Sequence, residues 1–125
     1  MWHQWSPTWH FTDETYDRTA PSFDNPDFVD VVIHSYRHRV GNAPGEERFK
    51  SVEAQLAKRP KIEVPSTLLY GGDDVLGQRS SEVTPAERQL FPALQAKRVI
   101  PGAGHFLPRE NPQALSAALS ELLAA

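Results

Sequence analysis

The sequence has no cysteine, so a disulfide framework, a thiolate metal site and a cysteine nucleophile are all excluded. That absence also fits a reducing compartment. Clustered positive charge is scarce: thirteen Lys and Arg against sixteen Asp and Glu leave a formal net charge of −3. The densest basic cluster, Arg37-His38-Arg39, is too small to follow a phosphate backbone, so nucleic acid is not an expected partner. No apolar run approaches the ~18 residues that a membrane span requires. The N-terminus is rich in Trp and His rather than basic and then apolar, unlike a signal peptide. The expectation is a cytoplasmic chain with no membrane contact.

What is present fits one globular unit by length: 125 residues, 39% hydrophobic and 23% charged. Proline is in excess, 11 residues or about 9% against a typical ~5%, which predicts short elements and frequent turns. All three tryptophans fall within residues 2 to 9, in a segment without an evident period, and large aromatics at that density are expected to be buried against something. A short helix is expected after Thr12, limited by Pro21. Asn25-Pro26 reads as an N-cap with proline at the first helical position, and Phe28, Val32, Tyr36 and Val40 recur every four residues, predicting a helix over about 26–40 that Gly41 stops. A third helical pattern, with Phe49, Val52 and Leu56 on one face, ends at Pro60.

The character changes near Ile62. Residues 64–70 are rich in β-formers and run into Gly71-Gly72, as a strand buried on both faces of a parallel sheet does. Thr84-Pro85-Ala86-Glu87 has capping-box spacing and opens a helix to about Phe91; Arg98-Val99-Ile100 reads as a second strand; Asn111-Pro112 caps a final helix with Leu115, Ala118, Leu119 and Leu122 on its apolar side. The fold class is therefore α/β, with a βαβα portion at 61–125 preceded by a helical segment at 1–60. Two such strands alone leave backbone groups unpaired at both outer edges, so further strands or a partner are needed.

Asp74 follows the first strand and His105 the second, and the carboxyl ends of adjacent parallel strands line one edge of a sheet. A carboxylate there fixes the imidazole tautomer and stabilises the imidazolium. Asp73 is the alternative acid, since one residue of register moves a side chain to the other face. His34 and His38, four apart on the second predicted helix, could ligate a metal with His3 or His10, but no Glu lies between them as in His-Glu-x-x-His, so no metal site is assigned. Tyr36 lies on the apolar stripe and reads as core.

Residues 64–74, Val-Pro-Ser-Thr-Leu-Leu-Tyr-Gly-Gly-Asp-Asp, and 99–107, Val-Ile-Pro-Gly-Ala-Gly-His-Phe-Leu, together resemble the acid and histidine segments of the α/β-hydrolase superfamily, in particular its capped branch of epoxide hydrolases, haloalkane dehalogenases and related esterases. The resemblance covers about 62–125, and Asn25-Pro26-Asp27-Phe28 with His34 to Arg39 resembles the end of the inserted cap domain. It implies a helical cap on a parallel sheet, Asp74 as triad acid, His105 as general base, no cofactor, and a small apolar substrate, an ester, epoxide or carbon–halogen compound, with Tyr36 and His34 as substrate-contacting cap residues. The sequence departs from the family in having no Gly-x-Ser-x-Gly or Gly-x-Asp-x-Gly elbow. The nucleophile is expected upstream, on an N-terminal half, without which the chain should be inactive. The alternative is a non-catalytic truncated product or interaction module that pairs its exposed sheet edge by self-association or with a partner chain.

Overall fold

The structure, a computed structural model, describes residues 1–124. In chain order its elements are α1 (Trp2–Trp5), α2 (Asp13–Asp17), a 3-10 turn (Ala20–Asp24), α3 (Phe28–Arg39), a second 3-10 turn (Glu47–Phe49), α4 (Lys50–Leu56), β1 (Ser66–Gly71), α5 (Pro85–Leu90), β2 (Leu94–Ile100), α6 (Leu107–Glu110) and α7 (Pro112–Ala124). They form two compact units, and the division is not at a single point near residue 60. One unit is His10–Arg59; the other joins Met1–Trp9 to the chain from Pro60 onward.

The His10–Arg59 unit is helical throughout. Asn25 does not cap α3: its Oδ1 accepts the Asp27 N–H at 3.0 Å in a local turn, and the helix starts at Phe28, two residues later than the Asn-Pro pair suggests. The other end follows the sequence reading. Gly41 has φ +78°, and the amides of Gly41 and Asn42 return to the carbonyls of His38 and Arg37, closing the helix with a left-handed glycine. Tyr36 is 50% exposed, not core, and the Arg39 guanidinium lies over its ring at 5.0 Å.

In the other unit, β1 and β2 pair in parallel, with Gly71 opposite Ile100 at their carboxyl ends and a register irregularity between Ser66 and Thr67. The strands are largely half-buried rather than covered on both faces; each has one edge without a partner strand among the described residues. α7 packs on β1 and α6 on α7, with Ala103, Leu107 and Ala118 as the buried apolar residues. β2 begins at Leu94, four residues before the predicted start, because Lys97 disguises it. The Lys97 side chain is only 7% exposed, and its Nζ reaches Glu87 at 2.8 Å and the Glu82 carbonyl at 2.7 Å.

Glu87 belongs to the capping box of α5: Thr84 Oγ1 accepts the Glu87 N–H, and Glu87 Oε2 accepts the Thr84 N–H at 2.8 Å. The hydrogen bond from Lys97, followed by those from Thr84, holds the Glu87 carboxyl down at about 2, against desolvation. The α5 start is thus tied to β2 through one carboxylate. Thr84→Ala is expected to cost about 1 kcal/mol and to lower the melting temperature by roughly 4 °C, read by thermal circular dichroism; an unchanged midpoint would show that the box adds nothing.

Candidate active site

Asp74 and His105 meet at the carboxyl edge of the sheet. Asp74 Oδ2 lies 3.3 Å from His105 Nδ1, so a proton on Nδ1 is donated to the carboxylate and the other ring nitrogen, Nε2, is left for chemistry. The Asp74 side chain is 7% exposed and that of His105 34%. Asp73 points elsewhere: its Oδ2 accepts the Thr8 hydroxyl at 2.7 Å, and its N–H donates to the Ala103 carbonyl at 2.9 Å. Adjacent carboxylates in the sequence are therefore separated by the backbone, and the one that faces the imidazole is that of Asp74.

Asp74 is held from three sides. Its Oδ1 accepts the Leu76 N–H at 2.9 Å, and its Oδ2 takes a hydrogen bond from Arg79 at 2.8 Å besides facing His105. Burial works against the charge, but the hydrogen bonds from Arg79, Leu76 and His105, with the Arg79 charge, outweigh it and hold the carboxyl below its usual range. The acid is ionised at neutral pH, as an imidazolium partner requires.

The His105 loop is anchored by Glu110. One carboxylate oxygen accepts the Gly104 N–H at 2.6 Å; the other accepts the Phe106 N–H at 2.8 Å and the Ser6 hydroxyl at 2.6 Å. The amides on both sides of His105 are thus fixed by one side chain, and Ser6, fully buried, closes the arrangement. The close approach needs glycine at two positions. A Cβ on Gly104 would stand 2.7 Å from Ser6 Cα, and one on Gly71 would stand 2.1 Å from the Gly104 carbonyl oxygen.

The aromatic N-terminus packs on this loop. Trp5 meets the His105 ring edge-on at 5.0 Å and its carbonyl accepts the His105 N–H at 3.3 Å, while Trp2, Trp5 and Trp9 all lie within 6.2 Å of the Phe106 ring. Residues 2 to 5 form one helical turn, not expected of a segment without an evident period. Arg79, Glu110, Ser6 and Trp5 are the site residues that motif reading passes over. Arg79 lies five residues after Asp74, and Glu110 lies six and four residues after the Gly104 and Phe106 amides that it accepts.

Of the remaining candidates, His10, His34, Tyr36 and His38 lie in the helical unit, and His3 lies on α1 in the other unit. His34 and His38 stack with ring centroids 6.2 Å apart; His38 Nε2 is 3.1 Å from Glu53 Oε1 and its Nδ1 is 3.3 Å from the Ala43 carbonyl, so both of its nitrogens already have partners. No group of three or more His, Asp or Glu able to hold a metal ion occurs among the described residues. No helix among them is long and apolar enough to cross a membrane.

No protein-family model matches the chain, and no curated protein does. Among solved structures, the chain is similar to a candidate epoxide hydrolase from Klebsiella pneumoniae, with 37% sequence identity and a TM-score of 0.83 over 97% of the present chain. The chain spans 39% of the length of that protein. This similarity, with a two-stranded parallel sheet flanked by helices, agrees with an α/β-hydrolase relation and with a part of such a fold.

Proposed function

We propose that the chain is the acid-and-base portion of a capped α/β-hydrolase, with His105 as general base and Asp74 as its orienting acid. The observation that carries the reading is the 3.3 Å contact between Asp74 Oδ2 and His105 Nδ1 at the carboxyl ends of two parallel strands. Neutral His105 takes a proton at Nε2, either from a serine hydroxyl as it attacks an ester or from the water that resolves an ester formed on an aspartate nucleophile, and Asp74 stabilises the resulting imidazolium. The nucleophile lies outside these 125 residues, as does the rest of the sheet. No cofactor is needed for this chemistry. The substrate class is a small apolar ester, epoxide or carbon–halogen compound; the similarity to a candidate epoxide hydrolase favours the epoxide. Tyr36 and His34, on α3, are assigned as cap residues facing substrate, and the cysteine-free composition suits the cytoplasm.

A non-catalytic reading is favoured by one observation: the edges of β1 and β2 without a partner strand among the described residues, and the exposed Leu115, Leu119 and Leu123 of α7, suit self-association or capture of a partner chain. One experiment separates the two. A chimera in which the present chain replaces the matching 39% of the Klebsiella protein is expected to hydrolyse activated aryl esters or epoxides that the Klebsiella protein itself turns over, while the 125-residue chain alone shows none. An inactive but folded chimera, or His105-dependent turnover by the isolated chain, would overturn the assignment.

A further inference from the structure

We propose that Arg79 is a positioning residue that shares Asp74 Oδ2 with His105 and thereby divides the charge of this carboxylate between a permanent cation and a titrating one. The inference rests on the reading of Asp74 and His105 as acid and base.

Three observations lead to it. Arg79 donates to the same oxygen that faces the imidazole, and at 2.8 Å against 3.3 Å it is the closer partner. Its guanidinium also lies over the Tyr70 ring at 5.2 Å, a second contact besides Asp74. Its side chain is 29% exposed, on an open recess that it lines with Gly72, Asp74, Val75, Gly77 and Gln78, which leaves its charge only partly screened by water. A carboxylate so occupied is rotationally fixed but electrostatically weaker toward an imidazolium, since a second cation shares the same oxygen.

The other charged groups on the elements around His105 are engaged elsewhere. Asp73 accepts from Thr8, Glu110 accepts from the Gly104 and Phe106 amides and Ser6, and Arg109 lies over the Trp2 ring at 4.8 Å. Arg79 and His105 are thus the two side chains that share Asp74 Oδ2.

The test is an NMR titration of the His105 imidazole in the 125-residue chain, assigned with His105→Gln, with folding checked by near-ultraviolet circular dichroism. Arg79→Gln is expected to raise the His105 midpoint by roughly half a unit to one unit, because the competing cation is gone. Asp74→Asn is expected to lower it, and Arg79→Lys, which keeps the charge, to leave it within about 0.3 unit of wild type. A fall in Arg79→Gln parallel to that in Asp74→Asn would overturn the proposal, since Arg79 would then only hold Asp74 in place. No change in Arg79→Gln with a fall in Asp74→Asn would also overturn it, while leaving the acid–base pair intact. An unmoved midpoint in Asp74→Asn would remove the pair itself. If Arg79→Gln does not fold, a shift of a half unit or more in Arg79→Lys overturns the charge-sharing account.

Discussion

Gly71→Ala is expected to destabilise the 125-residue chain by about 3 kcal/mol or more, seen as a lower urea midpoint with little change in slope. At most strand positions the same change would restrict the unfolded chain and be mildly favourable. Here the added carbon would stand 2.1 Å from the Gly104 carbonyl oxygen and 2.5 Å from that of Ala103, and both neighbours are backbone that cannot rotate away. To relieve the clash the 103–104 loop must retreat. That retreat breaks the hydrogen bond from the Asp73 N–H to the Ala103 carbonyl and disturbs the Gly104 amide held by Glu110. The residue between the displaced atoms and Phe106 is His105, so the loss should be accompanied by a disturbed His105 imidazole resonance. A variant within about 0.5 kcal/mol of wild type would contradict the close approach.

His105→Gln in the active chimera is expected to reduce kcat/KM on the order of 10³- to 10⁴-fold, with a similar loss in Asp74→Asn. Glutamine keeps the size and polarity of the ring but has no nitrogen that can take a proton near neutral pH. Asparagine at 74 retains an acceptor for Nδ1–H, yet it offers no charge to the imidazolium and its amide can drive the ring into the wrong tautomer. His105→Gln gives up the edge-on contact with Trp5 and Asp74→Asn the charge paired with Arg79, but neither forces backbone apart, so the melting temperature should fall less than in Gly71→Ala. Activity surviving His105→Gln within tenfold would remove the general-base role.

The elements that the sequence makes legible are those whose signals are local. Thr84 with Glu87, Gly41 after α3, and Asn111 with Pro112 each carry their own hydrogen-bonding logic, and Asn111 Oδ1 does accept the Ala114 N–H at 3.0 Å. The same dipeptide at Asn25-Pro26 behaves differently, because an Asn side chain satisfies either a helix start or a tight turn, and the choice depends on residues further along. β2 was obscured by Lys97, whose charge reads as solvent-facing until Glu87, ten residues earlier, is seen to pair with it. The supports of the site were hidden for the same reason. Ser6 reaches Glu110 across 104 residues of sequence, and no periodicity encodes a contact at that distance. Asp74 and His105 were legible as neighbours because glycine-rich turns at two strand ends place them together; the partners that fix them were not.

The central claim, that Asp74 and not its neighbour works with His105, is tested most directly by measuring kcat/KM in the active chimera for Asp74→Asn beside Asp73→Asn. With the Asp73 carboxylate occupied by Thr8 and that of Asp74 facing the ring, the account predicts a loss on the order of 10³-fold or more for Asp74→Asn and less than about tenfold for Asp73→Asn. Equal losses, or the larger loss at Asp73, would contradict it.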